Sequence, residues 1–236
     1  MQIERIAMAQ IELAIFDLAG TTIADEGHVL NAFRTALLAQ SIQLTHEMLQ
    51  PWRGAAKREA LRFFIEQKFG QSAVDNAARL AQAESDFREQ LAKSFEEEGV
   101  SPIAGAEATF AWLRDHGIKI AVTTGFDRKL TSIILARTGW QNGVIDASVC
   151  SDEVAQGRPA PYMIFHAMEA TGVTDVRRVL TAGDTMLDLQ SGINAGVAFV
   201  IGVLSGTQGV EQLGKTRHTH LLASVADLPA LLANEL

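Results

Sequence analysis

Asp17 ends an apolar run, residues 11–16 (IELAIF), and is followed by Leu18-Ala19-Gly20-Thr21-Thr22. Thr123-Thr124-Gly125 follows residues 118–122 (IKIAV), and Arg158-Pro159 comes a few residues after a third apolar stretch. Gly183-Asp184-Thr185 follows residues 179–182 (VLTA), and Asp188 stands one helical turn beyond Asp184 on the same side of a helix start. Each segment alone has a plain structural reading. An Asp before a Gly/Thr turn makes an Asx turn or a helix cap, Thr123-Thr124 suits an N-cap, and Asp184 with Asp188 suits a helix dipole. Together they form a chemical set. Asp17 and Asp184 offer hard oxygen ligands of the kind Mg2+ accepts alongside water and a phosphate oxygen. Thr124, the amides after it and Arg158 offer donors and positive charge for the other oxygens of a phosphoryl group. Asp17 could then attack phosphorus and form an aspartyl-phosphate, the metal and donors offsetting the repulsion between two anions.

Such a set needs an open parallel sheet, in which ligands bind beyond the carboxyl ends of the strands. The pattern provides one. Strands are expected at 11–16, 118–122, 144–149, 176–182 and 197–203, and helices at 105–116, 128–138, 161–171, 185–195 and about 225–234. Strands separated by helices of this length imply an α/β, Rossmann-like doubly wound sheet covered on both faces, and the near-continuous apolar runs at 118–122 and 197–203 agree. Residues 28–95 carry helical periodicity with breaks near 41–43, 51–54 and 70–72, so a helical bundle is inserted after the first strand. Glu96-Glu97-Glu98 reads as a solvated helix end where the insert returns.

The 236 residues are 47% apolar and 20% charged, an ordinary globular composition with room for a large core. Asp and Glu outnumber Lys and Arg by 28 to 20, a net charge of −8 that speaks against a nucleic-acid partner or a polybasic membrane anchor. The single cysteine, Cys150, excludes an internal disulfide framework and reads as a buried small apolar group. No apolar run approaches the ~20 residues that span a bilayer. The first residues lack the pattern of a signal peptide, so a cytoplasmic protein is expected. Trp52, Trp112 and Trp140 read as packing or hinge residues, and His166 as a packed histidine on a core-side helix.

The order of these motifs, over nearly the whole chain, resembles the haloacid dehalogenase superfamily: Asp17 to Thr21, Thr123 to Gly125, Arg158, and Gly183 to Asp188. The resemblance implies a core of residues 1–24 and 99–236 and a type-1 helical cap of residues 25–98. It implies Mg2+ held by Asp17, Asp184 and the Ala19 carbonyl, with Asp188 orienting that shell. Thr124 and Arg158 would hold the phosphoryl group, with Thr123 and Gly125 beside the substrate. Most phosphatases of the superfamily place a second Asp, the general acid, where this chain has Ala19, and a Lys where it has Arg158. Both replacements, with TTGF, GDTMLDLQSGINAG and LSGTQGVEQLG, resemble the phosphonatase branch.

The missing acid makes chemical sense there. A phosphate ester expels oxygen, which benefits from a proton, whereas a phosphonate expels carbon and needs an electron sink such as a lysine iminium. Lys57, in Trp52-Arg53-Gly54-Ala55-Ala56-Lys57, fits that role. Its stem borders the apolar face shared by Leu61 and Phe64, and a partly desolvated amine beside Arg53 has a lowered pKa. The expected activity is therefore hydrolysis of phosphonoacetaldehyde or a related 2-oxo-alkylphosphonate, and the alternative is a phosphatase acting on a small phosphomonoester. Two positions depart from the branch: Ala60 replaces a histidine that assists imine formation, and Phe126 replaces an aromatic hydroxyl. His28, at the mouth of the insert, reads either as a solvated histidine or as a substrate contact that replaces part of the lost acid–base function, and Arg53 is an expected substrate contact. The resemblance also suggests a homodimer formed through the cap.

Overall fold

A computed structural model describes residues 11–235, so the reading of the first ten residues lies outside it. In chain order the elements are β1 (Leu13–Asp17), α1 (His28–Ala39), the single turn α2 (His46–Leu49), α3 (Lys57–Phe69), α4 (Ala73–Glu97) and α5 (Ala106–Asp115). Next come β2 (Lys119–Thr124), α6 (Arg128–Thr138), β3 (Ala147–Cys150), α7 (Tyr162–Thr171), β4 (Val179–Gly183) and α8 (Met186–Ala195). The chain ends with β5 (Phe199–Val203), the short α9 (Val210–Leu213), β6 (His220–Leu222) and α10 (Leu228–Glu235).

The six strands form one parallel sheet in the order β3-β2-β1-β4-β5-β6. Because successive side chains point to opposite faces, both faces of β1 must find cover. Ala14 and Phe16 join Ile120, Val122, Leu180 and Ala182 in one layer. Leu13 and Ile15 join Ala121, Val149 and Val179 in the other, under Met163, Ile164 and Ala167 of α7. The order reverses at β1, which leads to β2 on one side and β4 on the other. This is the switch point at which an open α/β sheet leaves a crevice beyond its strand ends.

Local chemistry sets the helix limits. Asp127 accepts a hydrogen bond from Leu130 N at 3.0 Å to start α6, and Gly139, with φ of 74°, ends it. Phe110 of α5 lies under the centre of the sheet, its ring 5.4 Å from Phe16 and 5.0 Å from Trp140, all three fully buried. Phe110→Ala is expected to cost about 3–5 kcal/mol of stability, read as a lowered urea midpoint, because the cavity lies directly beneath Phe16, the neighbour of Asp17.

Three expectations change. β3 begins at Ala147 rather than 144, because Ile145 N bonds back to Trp140 O in a turn and the chain joins the sheet only beyond Asp146. The edge strand β6 and α9 were unread, since both are too short to carry a period. His166 is exposed, not packed: the buried stripe of α7 is Met163, Ile164, Ala167 and Met168, which turns residues 165 and 166 to solvent.

Between β1 and α5 the chain builds the helical insert. α1, α3 and α4 pack on one another, with Phe33 and Phe87 ring to ring at 4.7 Å, and Glu96 to Glu98 are exposed. The outgoing and returning strands of this insert lie side by side, Ala24 N donating to Ser101 O (2.9 Å) and Ile103 N to Thr22 O (2.8 Å). No helix among the described residues is long and apolar enough to cross a membrane.

Candidate active site

Asp17 is the last residue of β1 and sits opposite Thr123 of β2 in the sheet register. Its Oδ1 accepts a hydrogen bond from Arg158 Nη1 at 2.7 Å, and among the described residues none donates to Oδ2. Arg158 is itself buried, at 4% exposure, and its Nη2 donates to both the carbonyl and the hydroxyl of Thr123 at 2.8 Å. A guanidinium held by its planar fork in this way fixes one carboxylate oxygen and leaves the other free.

Asp184 and Asp188 follow β4. Asp184 Oδ2 accepts from the backbone and hydroxyl of Thr207 at 2.7 and 3.0 Å, and Thr21 donates weakly to Oδ1 at 3.4 Å. Asp188 Oδ2 accepts from the amide and hydroxyl of Thr185, closing a capping box at the start of α8. Its Oδ1 lies 2.6 Å from Arg158 Nη1 as an ion-pair contact, yet it is buried and receives no hydrogen bond.

Oxygens of Asp17, Asp184 and Asp188 all lie within 4.8 Å of one another, and all three residues are buried. Burial first, then repulsion from Asp17 and from each other, raises the pKa of Asp184; burial likewise raises Asp188, against the pull of Arg158. Three crowded carboxylates facing one guanidinium, with Asp17 Oδ2 receiving no hydrogen bond among the described residues, form a donor set that fits a hard divalent cation.

The insert supplies the amine. Lys57 opens α3, and its amide donates to Gly125 O at 3.2 Å, so a core carbonyl satisfies one of the orphan donors at that helix start. Lys57 Nζ donates to Ala55 O at 3.3 Å and stands 5.2 Å from the centre of the Phe126 ring. Gly125 permits this approach: a Cβ there would collide with Ala55 O and come within 3.3 Å of Nζ. Burial holds the Lys57 pKa below that of an ordinary lysine; Asp17 is the strongest charge opposing this, and Arg158 adds to the depression.

Asp17, Lys57, Thr124, Arg158 and Asp184 border one cavity of about 40 Å³, together with Ala19, Gly125 and Arg53 of the expected set. Thr123, His28 and Asp188 do not line it. Thr123 grips Arg158, and the His28 ring lies between Glu26, Glu98 and Phe95. Three contributors went unread in the sequence. Thr207 and Thr185 orient the carboxylates, and Asp25 borders the cavity beside Lys57 and Arg53. The threonines had a signal in their Gly-rich surroundings, whereas nothing local marks Asp25. Cys150 is no nucleophile: burial pushes its thiol up to about 12.

The sequence profile described as haloacid dehalogenase-like hydrolase matches residues 14–202. A phosphonoacetaldehyde hydrolase of Bacillus cereus is 32% identical over 88% of this chain and 80% of its own. Among solved structures, a phosphonoacetaldehyde hydrolase like protein from Oleispira antarctica superposes with a TM-score of 0.83 at 20% identity, covering 100% of this chain and 96% of that one. A β-phosphoglucomutase from Clostridium difficile gives 0.80 at 16% identity, covering 96% and 97%. At such identities the two structures share the fold and no more.

Proposed function

This chain belongs to the haloacid dehalogenase-like hydrolases, and we propose that it hydrolyses the carbon–phosphorus bond of phosphonoacetaldehyde or a related 2-oxo-alkylphosphonate. One observation carries the reading: the Lys57 amine and the Asp17 carboxylate border the same small cavity, where Ala19 stands in place of an acid. The likeness to a phosphonoacetaldehyde hydrolase supports it.

Lys57, whose pKa burial lowers, condenses through its neutral amine with the substrate carbonyl and expels water to give an iminium. The free oxygen of Asp17 attacks phosphorus; the C–P electron pair moves into the iminium, leaving an enamine on Lys57 and a phosphoryl group on Asp17. The enamine takes a proton on carbon, water returns the carbonyl product and the amine, and a second water cleaves the aspartyl-phosphate. Arg158 and Thr124 hold phosphoryl oxygens throughout, and Gly125 and Arg53 flank the substrate. Asp17, Asp184 and the Ala19 carbonyl would hold Mg2+, with Asp188 orienting that shell. Bound there, the ion supplies the positive charge that lets a carboxylate approach a phosphonate dianion.

In this reading residues 25–98 are a cap over a core of 1–24 and 99–236, hinged at the paired strands beside Gly27 and Gly99. The cavity of about 40 Å³ is too small for the substrate, so in this reading substrate enters as the insert lifts. Gly125→Ala should hold the cap off its seat and lower kcat about 100-fold, with little change in the denaturation midpoint. Steady-state kinetics and urea unfolding check both halves.

The deciding experiment compares phosphate release from phosphonoacetaldehyde, longer 2-oxo-alkylphosphonates and a panel of sugar phosphates. The proposal requires turnover of an oxo-phosphonate. Release from phosphomonoesters alone would overturn it in favour of a phosphatase in which Lys57 and Arg53 clamp an anion.

A further inference from the structure

We infer that Asp25 is the acid–base group of the imine steps, donating the proton that lets water leave Lys57's carbinolamine and taking one back when the product iminium is hydrolysed. The inference rests on the imine reading above and deepens it. Dehydration of a carbinolamine breaks a C–O bond and needs a proton on the departing oxygen; hydrolysis reverses this and needs a base for the attacking water. One carboxyl group serves both: its acid form becomes carboxylate as water leaves, and the carboxylate is reprotonated as water returns. Neither Ala60 nor Phe126 has a proton to exchange, and His28 lies outside the cavity, between Glu26 and Glu98.

Among the described residues, the titratable side chains bordering the cavity are Asp17, Asp25, Arg53, Lys57, Arg158 and Asp184. Asp17 is committed to phosphorus and Arg158, Asp184 is tied to Thr207, and the arginines do not deprotonate. Lys57 is the reacting amine, which leaves Asp25. Its position suits the task. Asp25 precedes α1 and is tied to the insert, through the Val29 amide of α1 and by facing Arg53.

Asp25 Oδ1 is fixed by the Val29 amide at 3.1 Å, while Oδ2 stands 4.0 Å from Arg53 Nη1, beyond hydrogen-bonding distance and so open to a substrate oxygen or a water. Burial raises its affinity for a proton, moderated by the Val29 amide and by Lys57, Arg53 and His28, which are the charged and titratable groups acting on it. The influence is mutual, since Asp25 is among the charges acting on Lys57.

A merely structural reading is that Asp25 caps α1 through Val29. Asparagine would serve as well there, because its side-chain oxygen accepts the same bond. Asp25→Asn therefore separates the roles. It should leave the urea midpoint the same or higher at neutral pH, lower kcat with phosphonoacetaldehyde by about 10²- to 10³-fold, and slow borohydride trapping of the Lys57 adduct in proportion. It should also remove one limb of the kcat–pH profile, and Asp25→Glu should restore part of the rate. Wild-type kcat and trapping rate in Asp25→Asn, with Lys57→Ala inactive, would overturn the role of Asp25 and leave the imine standing. No trapped adduct in the wild-type protein would overturn both.

Discussion

Lys57→Ala should abolish phosphate release from an oxo-phosphonate, by roughly 10⁴-fold or more, the scale on which loss of a covalent nucleophile is felt. An unstabilised carbanion is too basic to leave phosphorus, and among the described residues bordering the cavity only this side chain can form an imine. Borohydride should inactivate the wild-type protein in the presence of phosphonoacetaldehyde and leave a reduced adduct on Lys57 that the variant cannot form. Lys57→Arg should not rescue activity, since a guanidinium stays protonated. Stability moves the other way. Burial lowers the folded-state pKa of Lys57 below its unfolded value. Between those two values the unfolded chain binds more protons than the folded one, so the lysine destabilises the fold at neutral pH and stability recovers as pH rises through that window. The alanine variant should therefore unfold at the same or a higher urea concentration at neutral pH. Loss of turnover together with loss of stability would instead point to a structural lysine.

Asp17→Asn should be comparably inactive, again by about 10⁴-fold or more, because the amide nitrogen is no nucleophile for phosphorus while its oxygen still accepts the hydrogen bond from Arg158. Acid-quenched wild-type protein should carry a phosphoryl group on Asp17, read by mass spectrometry, and the variant none. The two substitutions also divide the reaction. Lys57→Ala removes the imine, whereas Asp17→Asn should still be trapped by borohydride, since carbonyl condensation does not involve phosphorus. An Asp17→Asn protein that keeps turning over oxo-phosphonate would place the nucleophile elsewhere.

Much of the scaffold was legible before any coordinate. Asp17 and Asp184 could be set at strand ends because strands buried on both faces must read as unbroken apolar runs, so the first carboxylate after such a run marks its carboxyl end. The limits of α6 were read residue for residue, because the Asp127 cap and the left-handed Gly139 are local devices. The same locality explains the misses. Val144 and Ile145 are apolar because they pack on the core from a turn, and composition does not separate that from a strand. His166 has apolar neighbours on both sides in sequence, yet the helix turns it outward.

Lys57 was legible as a type of residue in a type of place, but Asp25 and the true setting of His28 were not. Which side chains of the insert border the cavity depends on how α3 docks against the Gly125 loop, through the Lys57 amide and the missing Cβ of Gly125. Sequence by itself thus determined the order of the strands' chemical ends and the absence of an acid at Ala19, because those follow from covalent order, periodicity and residue type. Tertiary structure alone decided that Asp25 borders the cavity while His28 lies between Glu26 and Glu98, because burial and close approach between segments distant in the chain are properties of packing, which no local pattern encodes.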